Sequence, residues 1–300
     1  MYDMIIVGAG PAGLSAAIYG VRAGKSVLVL EADSYGGQII NTPEIENYPA
    51  IKHISGYDFA TNLYEQAIDL GAEIKFEKVL EIKSENHEKK VITDSNQYDG
   101  KTIILATGAK SRTLGLDREK ELVGRGVSYC ATCDGGFFKG KEVAINGGGS
   151  TALEEALYLS SICAKVYLIH RRDSFRGEEK ILQALREKQN VEFVLNSSIK
   201  ELIGDNKIKG IVVQNIETGT KITIPISGLF IALGQIPENG TFDNLINLDK
   251  GGYISATEDC KTNIEGIFVA GDTRTKRVRQ LTTAASDGAV AALAASEYIG

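Results

Sequence analysis

Residues 4–31 read MIIVGAGPAGLSAAIYGVRAGKSVLVLE. An apolar run, Met4–Val7, meets a glycine turn at Gly8, Gly10 and Gly13. Leu14, Ala17, Ile18 and Val21 then recur at helical spacing, and Ser26–Leu30 is a second apolar run ended by Glu31. Strand, glycine turn, helix, strand and acid make one βαβ unit of the kind that holds a dinucleotide. The glycines let the backbone approach a pyrophosphate, and the N–H groups at the helix start attract it. Pro11 suits that start, because its missing N–H would have no partner there. Gly8, Gly10, Pro11, Ala12 and Gly13 are therefore a candidate phosphate loop, with Glu31 placed to accept from a free ribose 2′-OH.

The pattern returns later in the chain. Glu142–Ile145 reads as a strand, Gly147-Gly148-Gly149 as a turn, Ala152–Ser161 as a helix and Lys165–Ile169 as a strand. The second loop, GGGSTA at 147–152, fits GxGxxA, with Gly149, Ser150 and Thr151 at the helix start. Gly8 and Glu31 stand 23 residues apart, and so do Gly147 and His170. His170 thus occupies the place of Glu31 and opens the run HRRDSFR. A cationic cluster there suits a ribose 2′-phosphate, with Arg giving forked contacts. The second loop is expected to hold NADPH, with His170, Arg171, Arg172 and Arg176 around the phosphate. One departure is Asn146, where an apolar strand end is more usual.

Between and after the two units the reading is coarser. A helix is expected over Gly56–Leu70, small strands at Leu80–Lys83 and Lys90–Thr93, and a strand at Lys101–Leu105 that runs into Ala106-Thr107-Gly108-Ala109. Lys110–Gly126 reads as a polar loop and Gly177–Lys188 as a helix. Val191–Ile226 holds strand-like stretches parted by Gly204-Asp205 and Thr218-Gly219, followed by a buried strand at Gly228–Leu233. The tail gives a strand at Gly266–Val269, then Ala270-Gly271-Asp272 and a small-residue helix over Leu281–Tyr298. The fold class expected is α/β, with two Rossmann-like three-layer ββα dinucleotide-binding domains, the second inserted in the first. The boundaries expected are 1–114 with 240–300 for the first domain and 115–239 for the second.

Composition narrows the function. The 300 residues carry 33 Lys+Arg against 39 Asp+Glu, a net charge of -6, with 43% hydrophobic and 24% charged residues. That is ordinary for a soluble globular chain, and a mildly acidic one is a poor general nucleic-acid binder. No apolar run approaches the roughly 20 residues of a membrane span, and the N-terminus lacks the basic region of a secretory signal. Four cysteines are too few for a disulfide scaffold, so a cytoplasmic location is expected. The 33 glycines exceed the usual share of about 7% and favour tight turns and phosphate loops.

CATCDG at 130–135 carries the chemistry. Two cysteines at this spacing can close a small disulfide, and CxxC settings lower thiol pKa. Zinc is the rival, but a structural site needs four ligands. Cys163 and Cys260 are isolated, and the histidines are His53, His87 and His170. A buried structural pair is a further alternative. Cys163 reads as a small core residue and Cys260 as incidental. Asp134 can serve as acid and base while thiolates form and discharge, or simply as a turn residue before Gly135. The pair lies 14 residues before Gly147, so it belongs to the second unit.

VGAGPAG (7–13), GGQ (36–38), NYP (47–49), ATGA (106–109), CATCDG (130–135), GGGSTA (147–152), HRRDSFR (170–176), AGD (270–272) and RQLTTAASDG (279–288) together resemble the low-molecular-weight thioredoxin reductases of bacterial type, along essentially the whole chain. The resemblance implies a homodimer that uses FAD and NADPH and reduces the disulfide of thioredoxin. It implies that Gly8, Gly10, Gly13 and Glu31 hold the FAD pyrophosphate and ribose. Gly37, Gln38 and Asn47 line the flavin, with Thr107 and Gly108 also at the FAD, and Asp272, Arg279 and Gln280 close over it. By the same likeness Cys133 faces the flavin, Cys130 is the interchange thiol and Asp134 is the acid and base.

Arg274, Lys276, Arg277 and Arg279 crowd four cations into six positions, with Arg279 expected near the cofactor and the others at solvent, where they form part of a docking rim. Nicotinamide and cysteine pair share one inserted domain, so rotation about linkers near Thr113–Leu116 and Gln235–Asn239 is expected. The rival readings are a flavin disulfide reductase serving another redoxin, an enzyme fed by ferredoxin and a non-catalytic flavin sensor. HRRDSFR speaks against the second and CATCDG against the third.

Overall fold

The computed structural model describes residues 1–85 and 88–300. His87, counted above among the histidines, lies outside the described residues. The chain opens with β1 (Tyr2–Val7), α1 (Pro11–Arg22) and β2 (Val27–Glu31), followed by α2 (Gly56–Asp69). Next come β3 (Glu73–Phe76), β4 (Val79–Glu85), β5 (Glu88–Thr93), β6 (Gln97–Leu105) and β7 (Ala109–Ser111). Then follow α3 (Glu119–Leu122), β8 (Val127–Ser128), α4 (Ala131–Asp134), β9 (Glu142–Asn146), α5 (Ser150–Ile162), β10 (Lys165–Ile169) and α6 (Glu179–Arg186). The strands β11 (Val191–Val194), β12 (Ser197–Ile203), β13 (Gly210–Asn215), β14 (Lys221–Pro225), β15 (Gly228–Ile231) and β16 (Gln235–Pro237) come next. The chain ends with β17 (Ile267–Val269) and α7 (Leu281–Ile299).

Two compact units result. One takes Met1–Lys110 with Ile236–Gly300, the other Ser111–Gln235. These limits fall four residues before those read from the sequence. Lys110 pairs with Glu238 at 2.9 Å inside the first unit.

In the first unit the strands run in the order β3-β2-β1-β6-β5-β4, with β17 also on β6. The pairs β3–β2, β2–β1, β1–β6 and β6–β17 are parallel, as a βαβ connection demands. β1 and β2 are almost wholly apolar and bury both faces. One face meets α1 and α7 through Leu14, Ala17, Ala291 and Ala295, and the other packs on Phe242, Ile246 and Ile254. The small residues of α7 let it lie close on α1. At Gly288 an added Cβ would fall 2.2 Å from the Ala12 carbonyl oxygen.

The second unit repeats the plan with a parallel sheet in the order β11-β10-β9-β15-β8, and adds the antiparallel sheet β12-β13-β14. The α/β class with parallel sheets is as the glycine motifs predict. One stretch differs. Lys110–Gly126 reads as loop, yet it contains α3, whose Glu119 is 2% exposed. Its carboxylate accepts from the backbone N–H of Leu114 at 3.0 Å, Gly115 at 2.8 Å and Leu116 at 3.3 Å, and from the Tyr129 hydroxyl at 2.7 Å. Residues 114–116, read above as part of a bending linker, are thus held by hydrogen bonds within the second unit.

Candidate active site

In the first unit, Gly8 follows β1 with φ +107°, and a Cβ there would lie 2.4 Å from the Ala106 carbonyl oxygen. Only glycine tolerates both conditions. At Gly13 a Cβ would lie 1.9 Å from the Gly8 oxygen. Gly10 is the N-cap of α1, makes no side-chain capping bond and leaves room, its nearest neighbour being the Gly37 Cα at 3.9 Å. Pro11 and Ala12 lead the helix, as the sequence predicts. Glu31 ends β2 and braces this turn. Its Oε2 accepts from the Ala9 N–H at 2.7 Å and its Oε1 from the Asp33 N–H at 3.1 Å.

The other expected residues of this unit gather on its loops. Gln38 donates from Nε2 to the Ala109 oxygen, and Asn47 Nδ2 donates to Gln280 Oε1 at 3.3 Å. Gln280 also caps α7 in a reciprocal box with Thr283. Thr107 Oγ1 lies 2.8 Å from Thr273 Oγ1 and 3.1 Å from Asn239 Oδ1, and Gly108 follows at φ +71°. Arg279 donates from Nε to the Asp272 backbone oxygen at 3.2 Å and stacks 4.0 Å over the Tyr253 ring. Among the described residues, buried Asp272 Oδ1 has no hydrogen-bond partner, and burial holds the carboxyl above its usual range. A buried acceptor left open in this way calls for a donor that a hydroxyl-bearing ligand supplies. With the glycine loop beside it, this donor set fits a flavin dinucleotide.

The cation run corrects the sequence reading. Arg274 is 2% exposed and Asp287 6% exposed. Asp287 Oδ2 accepts from Arg274 Nε at 2.8 Å, Lys276 Nζ at 2.8 Å and the Gly271 N–H at 3.0 Å, and Oδ1 accepts from Arg274 Nη2 at 2.9 Å. Arg274 and Lys276 are therefore inside, neutralised by an acid on α7, and only Arg277 of the run is exposed. Cys260, read as incidental, is fully buried beside them, its thiol pushed up to about 12 chiefly by burial.

In the second unit, β9 leads through Asn146 to Gly147, where a Cβ would fall 2.5 Å from the Ala232 oxygen. Asn146 is buried as the last residue of its strand. Gly149 is the N-cap of α5, with open space around it, and Ser150 and Thr151 begin the helix. The Arg176 N–H donates to the Gly148 oxygen at 2.9 Å, which ties the HRRDSFR loop to the glycine turn. Arg171, Arg172 and Arg176 are exposed, and among the described residues none forms an ion pair. His170 is placed differently. The residue is 6% exposed, its ring stacks on Phe175 at 5.1 Å, and among the described residues Nε2 has no hydrogen-bond partner. A Cβ at Gly148 would lie 2.0 Å from that ring. Burial, with the three guanidinium groups near it, pulls the imidazole below its usual pKa and keeps it neutral.

Cys130 and Cys133 form a disulfide on the turn of α4. Cys130 is half-buried and Cys133 exposed. The Cys133 N–H points at Cys130 Sγ, 3.2 Å away. Asp134 Oδ2 accepts from Ser128 Oγ at 2.6 Å, and burial raises the carboxyl above its usual range. Cys163 is buried in the core, its thiol pushed up to about 11 by burial. Among the described residues the cysteines join no cluster of metal-binding groups. Sequence reasoning missed Ser128 and also Glu155, whose Oε1 accepts from the Ala131 N–H at 3.2 Å. The only signal for Glu155 was the acidic pair Glu154-Glu155 on a helix whose other residues carry no charge.

A family profile described as pyridine nucleotide-disulphide oxidoreductase matches residues 2–288. A "34.2 kDa protein in rubredoxin operon" of Clostridium pasteurianum is 42% identical over 99% of this chain and 97% of its own length. A thioredoxin reductase of Peptoclostridium acidaminophilum is 40% identical over 100% of this chain and 97% of its own. The crystal structure of thioredoxin reductase from Streptococcus pyogenes superposes with a TM-score of 0.95 at 40% identity, over 99% of this chain and 98% of that one. The chain thus belongs to the pyridine nucleotide-disulphide oxidoreductase family, with thioredoxin reductases among its relatives.

Proposed function

We propose that this chain is an NADPH-dependent thioredoxin reductase, carrying electrons through FAD to the Cys130–Cys133 disulfide and on to thioredoxin. The observation that carries this reading is the Cys130–Cys133 bond itself, set on a turn that leaves Cys133 exposed. The family implies a flavin and a nicotinamide nucleotide. The flavin, when bound, supplies a two-electron relay. Gly8, Gly10, Pro11, Ala12, Gly13 and Glu31 would hold its pyrophosphate and ribose. Gly37, Gln38, Asn47, Thr107, Gly108, Arg279 and Gln280 would line it, and Asp272 would offer its open oxygen to a hydroxyl. Gly149, Ser150 and Thr151 would take the pyrophosphate of NADPH. Arg171, Arg172 and Arg176 would take its 2′-phosphate, backed by His170. Three exposed guanidinium groups without acid partners favour a phosphorylated nucleotide over a ferredoxin as electron source.

Once the disulfide is reduced, the Cys130 thiolate attacks one sulfur of the substrate disulfide and releases the other as a thiol. The Cys133 thiolate then attacks Cys130 Sγ, restores the internal disulfide and frees the second substrate thiol. Asp134, raised by burial, is a carboxyl able to give and take the protons these steps exchange. We place the enzyme in the cytoplasm as a homodimer, the low cysteine count supporting the first assignment and the family resemblance the second.

Anaerobic titration tests the reading. NADPH bleaches the flavin, oxidised thioredoxin restores its colour, and Cys133→Ser keeps the flavin while losing thioredoxin reduction. Unchanged turnover in yellow Cys133→Ser protein would overturn it.

A further inference from the structure

α5 runs from the second glycine loop, at Ser150, to the packing surface of the cysteine turn. Where Gly135 follows that turn, a Cβ would lie 2.8 Å from Tyr158 Cε1 and 3.2 Å from Leu159 Cδ2, so helix and turn are in tight contact. Glu155 lies between these two ends. Its Oε1 accepts from the Ala131 N–H at 3.2 Å, the peptide that leaves Cys130. Its Oε2 is buried and, among the described residues, accepts no hydrogen bond. A full negative charge is costly on a carboxyl held in this way, because one oxygen is buried and meets no protein donor among the described residues. Among the described residues no cation offsets it. Among the described residues Glu155 is in no ion pair, and Lys165 and Arg186, on elements packed against α5, are taken by Glu192 and Glu179. Of the other charged groups on those elements, Glu142, Glu179 and Lys180 make no pair with it either. On its own helix Glu154 adds repulsion, and on the cysteine turn the titratable groups are Asp134 and the sulfur pair.

We propose that Glu155 is a positioning residue of the Cys130–Cys133 couple, which sets the charge beneath the Ala131 peptide and thereby the ease with which a thiolate forms at Cys130. The inference rests on the reading of the pair as redox-active. Two-electron reduction by the nicotinamide nucleotide breaks the S–S bond and leaves two sulfur anions, which two protons convert to thiols. A neutral Glu155 tolerates an anion on Cys130, and an ionised one repels it. Burial pushes the Glu155 carboxyl up to about 7, so its charge changes within the working range. The two groups titrate as a coupled pair.

The test uses the flavin-loaded protein with its disulfide reduced by dithiothreitol, the rate of iodoacetamide alkylation being followed from about pH 5 to 10. Glu155→Gln keeps the acceptor for the Ala131 N–H and removes only the charge. The wild type is expected to show two inflections, one near neutrality. Glu155→Gln is expected to show one, with the thiol pKa lower by on the order of one unit, and Glu155→Asp is expected to restore the second. Wild-type and Glu155→Gln profiles that superimpose, at equal flavin content and thermal midpoint, overturn the proposal. NADPH titration of the wild type separates the two readings. Profiles that differ while NADPH fails to reduce the pair sink the functional reading and leave this inference standing. Normal NADPH turnover with superimposed profiles does the reverse.

Discussion

Replacing Asp287 with alanine removes one carboxylate and abandons three groups at once. Arg274, 2% exposed, loses two hydrogen bonds of 2.8 and 2.9 Å, Lys276 loses one of 2.8 Å, and the Gly271 N–H loses its acceptor at 3.0 Å. Removing one member of a buried ion pair costs about 3–5 kcal/mol, because the other stays buried and uncompensated. For a unit of this size that corresponds to a fall of about 6–20 °C in thermal midpoint. The effect reaches the candidate flavin site, since Gly271 precedes Asp272. Flavin retention should therefore fall together with stability. Asp287→Asn keeps one acceptor and should lose roughly half as much. The pH dependence follows from the same contacts. Burial alone would raise the Asp287 carboxyl, but hydrogen bonds from Arg274 and Lys276 override it and hold the group below its usual value. A carboxyl depressed in the folded state stabilises above its unfolded pKa, near 3.9, and this stability is lost as pH falls through the folded value. Asp287→Ala should therefore flatten the acid limb of the stability curve. Differential scanning calorimetry with flavin fluorescence between pH 3 and 7 reads both effects. A midpoint within 2 °C of wild type at pH 7, or an unaltered acid limb, would refute the reasoning.

Gly8→Ala should give protein without bound flavin, since its Cβ would meet the Ala106 oxygen at 2.4 Å from a backbone at φ +107°. The absorbance ratio of purified protein reads this, and a wild-type ratio contradicts it. Arg171→Ala combined with Arg172→Ala should raise KM for NADPH by about 30-fold or more, two charge-assisted bonds at roughly 1–2 kcal/mol each being lost. KM for NADH should stay within about twofold, and equal rises for both would remove the 2′-phosphate assignment.

The βαβ units were legible because their signals are local. Gly13 is required by a contact within its own turn, where a Cβ would meet the Gly8 oxygen, the glycine spacing marks Gly8 and Gly147 at their strand ends, and the runs Met4–Val7 and Val143–Ile145 are buried on both faces. What depends on distant partners was not legible. Arg274 and Lys276 read as solvent cations because Asp287, which neutralises them, sits on another element. Glu119 passed as part of a polar loop because three of its four partners are backbone N–H groups, which carry no sequence signature. Glu155 resembles any acid on the wet face of a helix until Ala131 is seen against it. His170 was located by register alone, which fixes where a residue stands and not whether its ring turns inward.

One stiff rod, α5, starts at the socket proposed for the coenzyme and carries the sulfur hook along its flank. Over 13 residues it spans about 20 Å. Hydride donor and sulfur hook would consequently travel as a single piece of cargo, and a jolt delivered to the socket would be felt at the hook without any change in the distance between them.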